Sequence, residues 1–280
     1  MYLKKFENKN VLITGASSGI GEAIALLLAQ AKAVLFLLDR NMEKLLHVCE
    51  KCNELQTSTL NVSIDSNPSG CKTQAFHVDF TNASSIDNFV SACIKNNISF
   101  DFIFLNAGIS QRALTLDTDF EVDRKIMETN FFGPVYLIKQ LTGVFKSGRP
   151  VHLAVTTSIS GLFGFPLRST YCASKHALMG FFESLELEYD FIKVTFLIPG
   201  RINTPISKSA LLGDGSTYSQ MDNGQADGMD VNKCAQIAIK AVAKGKRRKL
   251  IGGKELIMVY IKKFIPPLFY LLAKKEEFRI

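Results

Sequence analysis

A glycine-rich run, TGASSGIG at residues 14–21, constrains the fold more than any other feature of this 280-residue chain. It follows a short apolar segment, NVLIT at residues 10–14, and precedes an apolar helical pattern, EAIALLLAQA. Glycine between a strand and a helix lets the backbone approach a dinucleotide pyrophosphate, and the helix N-terminus offers that anion free N–H groups. The run therefore predicts a dinucleotide-binding turn, whose candidate binding residues are Gly15, Ser17, Ser18, Gly19, Ile20 and Gly21.

Strand-like and helix-like segments alternate along the chain. Further apolar runs that resemble strands are AVLFLL (33–38, ending at Asp39), AFHVDF, FIFLNAG, HLAVTTS, VTFLIPG and KLIGG. Helical patterns cover residues 41–55, 84–96, 119–147, 172–189 and a segment from 232 onward. Strands that are apolar almost throughout are typical of a parallel sheet covered by helices on both faces. The pattern predicts an α/β fold: a doubly wound parallel sheet in one domain, residues 1–253.

Two polar segments interrupt this alternation. Residues 57–70 are rich in Ser, Asn, Pro and Gly, a composition that predicts a surface loop. Residues 201–230 are polar and contain glycine, which is typical of a mobile loop over a site.

Charge and composition exclude some classes of protein. The 47% of hydrophobic residues can bury a sizeable core, and the net charge of +7 includes a basic cluster at residues 244–249. A basic surface attracts anionic membranes, nucleic acid or small anions. Because the cluster has no interleaved aromatic residues and no nucleic-acid motif, we expect no nucleic-acid partner.

The cysteines and the N-terminus bear on the cellular compartment. Cys49 and Cys52 form a CxxC in a helical stretch, but no second CxxC or nearby histidine completes a metal site. We therefore expect free thiols, a reducing compartment and no bound metal. The N-terminal residues lead directly into a strand without a signal-peptide pattern, so we expect a cytoplasmic protein or one on the cytosolic side of a membrane.

The residues at the end of the second strand bear on the choice of cofactor. Asp39 lies 18 residues after Gly21, where a carboxylate can accept hydrogen bonds from the adenosine ribose and would repel a 2′-phosphate. Arg40 follows directly and could stack on adenine or hold that phosphate. The sequence favours NAD over NADP and leaves NADP open.

Tyr171 and Lys175 are the strongest candidates for catalysis. A spacing of four places both side chains on one face of a helix. A free tyrosine has a pKa of about 10, which is too high for a base at neutral pH. A neighbouring ammonium and an oxidised nicotinamide favour the phenolate, and lowering the pKa by about three units would require roughly 4 kcal/mol of interaction. The pair is therefore predicted to transfer a proton.

Other polar residues lie at or just beyond predicted strand ends, where open α/β sheets bind their ligands. Ser158 ends the strand HLAVTTS and could donate a hydrogen bond to a substrate oxygen as negative charge develops on it. Asn130 lies within the long helix that follows the strand FIFLNAG. The remaining candidates in this group are Asn106, Ala107, Gly108, Pro199, Gly200 and Thr204.

The motifs TGxxxGxG, NAG, Ser, YxxxK and PG occur in this order, and from about residue 8 to about 253 the chain resembles the short-chain dehydrogenase/reductase family. The resemblance implies a Rossmann-like domain with a seven-stranded parallel sheet. It implies that Ser158 orients a carbonyl and that Tyr171 is the general acid/base. Lys175 would lower the tyrosine pKa and bind the nicotinamide ribose, and Asn130 would position a water in a proton relay.

The resemblance also assigns further cofactor contacts and a type of substrate. Asp79 and its neighbour Phe80 would lie near adenine, while Ile202 and Thr204 would contact the carboxamide and phosphates. Family members that act on steroids, retinoids and lipid-like molecules are the most similar, which implies a small apolar carbonyl or alcohol. Ile159 and Phe165 are expected to line its pocket. Family habit also implies a homodimer or homotetramer.

The C-terminal tail, residues 254–280, is apolar and basic. Lys262, Lys263, Pro266 and Pro267 interrupt it, so it contains no uninterrupted apolar span of about 20 residues. Apolar segments flanked by lysines fit an amphipathic helix in a membrane interface. They fit equally well an arm packed on a neighbouring subunit or covering the substrate mouth, and the tail resembles those of membrane-associated family members.

Two other kinds of function compete with the oxidoreductase. A catalytically weak nucleotide-sensing or interaction protein could keep the same fold, but the complete set of Asn130, Ser158, Tyr171 and Lys175 argues against it. A lyase, epimerase or dehydratase on this fold would typically need a larger C-terminal substrate domain than this tail provides.

Overall fold

The computed structural model describes residues 2–58, 72–145 and 149–276. In this part of the chain seven parallel strands form one sheet, in the order β3-β2-β1-β4-β5-β6-β7. The strands are β1 (Asn10–Thr14), β2 (Val34–Asp39), β3 (Thr73–His77), β4 (Phe102–Leu105), β5 (Val151–Thr156), β6 (Ile192–Pro199) and β7 (Arg248–Ile251). This confirms the predicted Rossmann-like, doubly wound α/β fold.

The helices lie on both faces of the sheet. They are α1 (Gly19–Gln30), α2 (Met42–Ser58), α3 (Ala83–Lys95), α4 (Phe120–Met127), α5 (Gly133–Gln140), α6 (Ser169–Glu188), α7 (Asn223–Ala226), α8 (Val231–Ala243), α9 (Ile257–Phe264) and α10 (Pro266–Glu276). Helices α1, α2 and α8 contribute to one hydrophobic cluster, and α3, α5 and α6 to a second.

The alternation of side chains along each strand explains why the strands are apolar throughout. In β1, Val11 and Ile13 belong to the first cluster, whereas Leu12 between them belongs to the second. Successive side chains of a strand point to opposite faces. A sheet covered on both sides must therefore be apolar at every position, which is the pattern that the sequence shows.

The predicted long helix over 119–147 is wrong in its detail. The structure has α4, a π-helical turn at Glu128–Phe132, α5 and a 3₁₀ turn at Leu141–Val144. Asn130 therefore lies in a π-helical turn, a feature that often marks functional sites in helices. Sequence periodicity cannot resolve one inserted residue per turn, because the same apolar residues still reach the core.

Several predicted strands are too long at their carboxyl ends, and two of these differences move predicted site residues into loops. β3 ends at His77, so Asp79 and Phe80 lie in the following loop rather than in a strand. β5 ends at Thr156, which leaves Ser158 in the loop as the N-cap of a short 3₁₀ turn. The strands stop pairing where the chain turns toward the next helix, so these residues belong to the loops above the sheet.

The sheet order reverses between β1 and β4, and two loops meet there at close range. Gly15 has a φ of +64°, and a Cβ added to it would lie 2.8 Å from the Cα of Ala107. A Cβ on Gly21 would overlap the carbonyl oxygen of Gly15. The glycine-rich turn is thus compatible only with glycine at both positions, and it opens a crevice at the switch point of the sheet.

The tail forms two helices beyond β7. The Glu255 carboxylate accepts hydrogen bonds from the backbone N–H groups of Arg201 (2.8 Å) and Gly253 (3.0 Å), which fixes the start of the tail beside the end of β6. Farther on, the ring of Phe269 packs edge-on against Phe163 with centroids 4.8 Å apart. Part of the tail therefore packs against the segment that follows β5.

The two polar segments singled out in the sequence differ in how much of them the structure describes. The loop predicted over 57–70 lies largely outside the described residues. Residues 201–230 form turns and α7, hydrogen-bonded to other loops, rather than one featureless loop.

Across the described ranges, none of the helices combines the length and the apolar character required to cross a membrane.

We predict opposite effects for two Gly→Ala substitutions. Gly21→Ala forces a methyl group onto the Gly15 carbonyl, and such overpacking typically costs about 1–3 kcal/mol. Gly180→Ala meets nothing within 4 Å in the middle of α6, so its better helix propensity should add about 0.5–1 kcal/mol. Urea unfolding followed by circular dichroism measures both. Equal stability of Gly21→Ala and the parent chain would contradict the close approach.

Candidate active site

The carboxyl ends of β1, β4, β5 and β6 meet at one edge of the sheet, and most predicted site residues lie in the loops that follow them. Helix α6 runs beside this edge and brings Tyr171 and Lys175 to the same crevice. Because all strands are parallel, residues distant in sequence come together here.

The start of α1 has the features of an anion site. Gly19 has a φ of +58°, and Ser18, the N-cap residue, makes no capping hydrogen bond with its side chain. The first N–H groups of the helix therefore lack that side-chain acceptor, and the helix dipole favours negative charge at this end. The side chain of Thr204 lies 3.3 Å from the position of a Cβ on Gly19. These residues fit the pyrophosphate of a dinucleotide.

The loop after β4 is tied to the glycine-rich turn by a buried hydroxyl. Thr14 Oγ1 accepts hydrogen bonds from the backbone N–H groups of Asn106 (2.9 Å) and Ala107 (3.0 Å). The Asn106 side chain in turn donates to the Gly15 carbonyl at 3.4 Å. This explains the NAG sequence: the asparagine joins two loops, and Gly108 leaves room beside Asn130 and Lys175, whose side-chain atoms approach within 3.2 and 3.3 Å of its virtual Cβ.

Asp39 is the last residue of β2, and Asp79 follows the neighbouring strand β3. The Asp39 carboxylate accepts from the N–H groups of Ser17 (3.3 Å) and Asn41 (2.9 Å), which places its negative charge against the glycine-rich turn. Burial raises the pKa of Asp79, but hydrogen bonds from the backbone and hydroxyl of Thr81 and the charge of Arg40 outweigh it, so the net pKa is lowered. Arg40 therefore lies close enough to Asp79 for its positive charge to lower the pKa of that carboxyl group.

Tyr171 is buried beside Ser158. Burial raises the pKa of the Tyr171 phenol, and a hydrogen bond with the Ser158 side chain and the charges of Arg168 and Arg112 oppose that rise without cancelling it. Ser158 Oγ lies 3.4 Å from the Pro199 carbonyl and accepts from the Ser160 N–H at 3.2 Å. The resemblance implies that Lys175 lowers the pKa of Tyr171. Within the protein itself, the pKa of Tyr171 is raised instead.

Lys175 is held as a buried amine. Its Nζ donates to the Thr156 carbonyl at 3.1 Å and lies 5.8 Å from the centre of the Tyr171 ring. Only 3% of the residue is exposed, and burial lowers its pKa from 10.5 to about 8. A pKa of about 8 leaves Lys175 mostly protonated at neutral pH, but much closer to losing its proton than an exposed lysine.

Asn130 is fully buried, and both the oxygen and the nitrogen of its side-chain amide form hydrogen bonds. Its Oδ1 accepts from the Ile109 N–H at 2.8 Å, and its Nδ2 donates to the Ile109 carbonyl and to Ser174 Oγ, both at 3.0 Å. The side chain thus joins the loop after β4 to α6, one residue before Lys175.

The sequence analysis missed a residue that supports the helix of the pair. The Gln111 side-chain oxygen accepts from the N–H groups of Thr170 (3.0 Å) and Tyr171 (3.4 Å), at the start of α6. Gln111 is fully buried, and its amide donates to Thr118. A glutamine 60 residues away carries no local signal for such a cap, so periodicity could not have found it.

A cluster of charges beside Tyr171 was also missed. The Asp222 carboxylate binds both Arg112 and Arg168, and Arg112 also donates to the Gln111 carbonyl at 2.6 Å. Burial, followed by the charge of Arg112, lowers the pKa of Arg168 to about 10. Two cations share one carboxylate, so the cluster leaves a net positive charge near the phenol and fastens the loop that carries Asp222.

Other predicted residues have their side chains in the core. Phe80 packs against Gly133, and Ile202 is 2% exposed within the first hydrophobic cluster. Ile159 and Phe165 are partly buried beside Phe163. In the described chain, no group of three or more His, Cys, Asp and Glu residues could hold a metal ion, and Cys49 and Cys52 are buried thiols.

This sheet and its crevice define a Rossmann-like α/β protein. A sequence profile described as short chain dehydrogenase matches residues 9–213. The chain therefore belongs to the short-chain dehydrogenase family, and it is an oxidoreductase.

Curated relatives match nearly the whole chain. The chain is 34% identical over 275 residues to Dehydrogenase/reductase SDR family member 7B of Xenopus tropicalis, covering 95% of this chain and 86% of the relative. It is 36% identical over 277 residues to the protein of that name in Bos taurus, covering 96% and 83%. A Dehydrogenase/reductase SDR family protein 7-like of Drosophila melanogaster is 32% identical over 284 residues, covering 99% and 84%.

Solved structures share the fold. A short-chain dehydrogenase/reductase from Burkholderia phymatum, in complex with NAD, superposes with a TM-score of 0.76 at 19% identity, covering 94% of this chain and 95% of that one. A structure named as a short-chain dehydrogenase from Shigella flexneri, complexed with NADP, gives a TM-score of 0.72 at 23% identity, covering 88% of this chain and 96% of that one.

We predict that Lys175→Met stabilises the chain at neutral pH. The folded chain releases the Lys175 proton near pH 8 and the unfolded chain near 10.5, so the buried charge costs about 3 kcal/mol below pH 8. That cost is relieved as the pH rises between these values. Loss of the donor to Thr156 offsets part of the gain, which leaves about 1–2 kcal/mol.

Urea unfolding at about pH 7 and about pH 10 measures this gain, which should shrink at the higher pH. Lys139→Met, on the exposed face of α5, is the control and should change little at either pH. A Lys175→Met chain less stable than the parent at both pH values would contradict the cost of the buried charge.

Proposed function

We propose that the protein interconverts a carbonyl and an alcohol by hydride transfer with NAD(P), and that Tyr171 is the general acid/base. The observation that supports this most directly is the hydrogen bond between Tyr171 and Ser158, with Lys175 one helical turn away beside the glycine-rich crevice. A bound nicotinamide dinucleotide supplies or accepts the hydride. The residues of the protein transfer the proton and stabilise the negative charge that develops on the substrate oxygen.

Ser158 and Tyr171 are proposed to hold the reacting oxygen. In reduction, negative charge develops on that oxygen, and the two hydroxyls can both donate to it. Burial raises the pKa of Tyr171, so the phenol starts in its acid form and can deliver its proton. In oxidation the phenolate is required, and the nearby charges of Arg168 and Arg112 favour it.

Lys175 and Asn130 are proposed to support the proton transfer. Lys175 lies where it can bind the nicotinamide ribose and exchange a proton near neutral pH, because burial lowers its pKa to about 8. Asn130 fixes the loop after β4 against α6 and is proposed to position a water between Lys175 and solvent.

Tyr171→Phe should lower the turnover number about 10²- to 10⁴-fold, the usual contribution of a positioned acid or base. Binding of NADH, followed by its fluorescence, should stay close to that of the parent chain because the glycine-rich turn is untouched. Tyr189→Phe, just beyond the end of α6, is the matched control and should leave turnover unchanged.

Turnover and NADH binding, measured together, also distinguish the proposed oxidoreductase from a catalytically weak nucleotide-sensing protein. Such a protein would bind the dinucleotide with either tyrosine variant and show no turnover that depends on Tyr171. Unchanged turnover of a purified ketone or aldehyde substrate by Tyr171→Phe would overturn the proposal.

We propose NAD as the preferred cofactor, with NADP as the second choice. The Asp39 carboxylate sits against the glycine-rich turn and its charge opposes a 2′-phosphate, whereas Arg40 exerts its charge toward Asp79. The turn itself has serines at 17 and 18 and no basic residue. The related structures in complex with NAD and with NADP support the use of either cofactor by this fold.

Asp39→Asn should shift the preference toward NADPH about tenfold, because it removes one charge beside the ribose while keeping an acceptor for Asn41. The ratio of Kd values for NADH and NADPH measures the shift. Asp190→Asn, in the exposed turn after α6, is the control with the same loss of charge. A parent chain that already prefers NADPH would contradict the role of Asp39.

The substrate is proposed to be small and apolar, such as a steroid, retinoid or lipid-like molecule. Ile159 and Phe165 border the Ser158 loop, and Leu162 and Phe163 extend that apolar surface. Residues 1–253 are proposed as the catalytic domain.

We also propose that the protein works in the cytoplasm, with its tail, residues 254–280, in peripheral contact with a membrane surface. The exposed side chains of Phe120, Phe132 and Leu187 support a homodimer or homotetramer through α4, α5 and α6.

A further inference from the structure

A groove outside the crevice lies between the tail and the last strand of the sheet. It has a volume of about 950 Å³ and is bordered by the end of α8, by β7 and by α9. Leu162 and Phe163, which continue the loop of Ser158, form part of its inner wall. The groove is therefore a second cavity, adjacent to the crevice but built mostly from other elements.

The charge in this groove is entirely positive. Among its fifteen lining residues, seven are cationic and none is acidic. They come from the end of α8 and the turn after it, from β7 and from α9. The cationic residues are Lys240, Lys244, Lys246, Arg248, Lys249, Lys262 and Lys263.

Few of these charges have partners within the protein. Arg248 pairs with Glu183 at 2.9 Å, and the Lys262 ammonium donates to the Tyr270 hydroxyl at 2.7 Å. Within residues 2–58, 72–145 and 149–276, no carboxylate lies within salt-bridge distance of Lys244, Lys246 or Lys249. Like charges gathered without carboxylates repel one another, and a bound anion relieves that repulsion.

Two ordinary structural roles explain only part of the cluster. Charges on an edge strand prevent it from pairing with another strand, which accounts for Arg248 and Lys249 on β7. A lysine at a helix C-terminus stabilises the helix dipole, which accounts for Lys244. Neither role explains why Lys262 and Lys263, on a helix of the tail, border the same cavity.

The inner wall of the groove is apolar. It consists of Leu162, Phe163, Ile198, Ile237, Leu250 and Val259. An inorganic anion needs no such surface, whereas a molecule with an anionic head and a hydrocarbon chain matches both the cationic residues and the wall.

Other apolar side chains of the tail, outside the groove lining, are exposed. Ile257, Phe264, Ile265 and Leu271 have exposed fractions of 60%, 68%, 53% and 56%. Apolar side chains next to lysines are typical of segments that lie in a membrane interface. This favours a lipid in a bilayer over a free phosphate as the source of the anion.

We propose that this groove binds the anionic headgroup of a membrane phospholipid, with the upper part of its acyl chain against the apolar wall. The proposal deepens the membrane contact proposed for the tail and does not depend on the hydride-transfer activity. The lysines at the end of α8 and on β7 contact the phosphate, and α9 closes the other side of the site.

The test uses the full chain and two kinds of vesicle, phosphatidylcholine alone and phosphatidylcholine with about one-fifth phosphatidylglycerol. Co-sedimentation measures the bound fraction. The variant carries Lys244→Gln, Lys246→Gln and Lys249→Gln together. We expect strong, salt-sensitive binding of the parent chain to the anionic vesicles only, and at least about a tenfold loss in the variant.

A second variant controls for net charge. It carries Lys44→Gln, Lys95→Gln and Lys233→Gln, three exposed lysines outside the groove lining, and should bind the anionic vesicles within about twofold of the parent chain. An equal loss in both variants would show that only overall charge matters and would overturn the groove site. Circular dichroism confirms that both variants are folded.

The remaining outcomes separate the sources of the anion and the two proposals. Equal binding of the parent chain to both vesicles would leave the membrane contact of the tail intact and overturn the anionic headgroup site. Inorganic phosphate at millimolar concentration should not compete; if it releases the parent chain from the vesicles and binds the groove without lipid, the phospholipid assignment is wrong. A parent chain that binds neither vesicle overturns both the groove site and the membrane contact of the tail. The proposed hydride-transfer activity is tested separately, by the turnover of Tyr171→Phe.

Discussion

The close approach of two loops at the carboxyl ends of β1 and β4 is the contact on which the rest of the site depends. The buried Thr14 hydroxyl holds the loop after β4 by two backbone N–H groups, and glycine at positions 15 and 21 lets the turn fold against it. The same loop then continues to Ile109, which binds Asn130, and to Gln111, which caps α6. The glycine-rich crevice and the proposed proton-transfer residues are thus connected through one short segment.

The proposed catalytic pair, Tyr171 and Lys175, is held in an environment that opposes its charged forms. Burial raises the pKa of Tyr171 and lowers that of Lys175, so both groups are biased toward neutrality. The cluster of Arg112, Arg168 and Asp222 supplies positive charge from the opposite side. The site therefore holds two titratable groups whose charged forms are disfavoured by burial, and such shifted pKa values are frequent at active sites.

The fold and much of the site could be predicted from sequence because their signals are local. Apolar runs gave the strands, and the glycine spacing and the YxxxK spacing each lie within a few residues. The supporting contacts could not be predicted in this way. Arg112 and Asp222 are separated by 110 residues, and Gln111 by 60 from the tyrosine that it caps. The π-helical turn at Asn130 was missed because one extra residue in a turn barely alters an apolar pattern.

The position of Glu255 joins the tail mechanically to the centre of the molecule. Its carboxylate binds the Arg201 amide, and the Pro199 carbonyl two residues earlier lies against the Ser158 hydroxyl. A displacement of the turn at Lys254–Leu256 is therefore transmitted to the Ser158 hydroxyl through two hydrogen bonds and the short backbone segment between them. The position of the last two helices is thus coupled to the geometry of the candidate site.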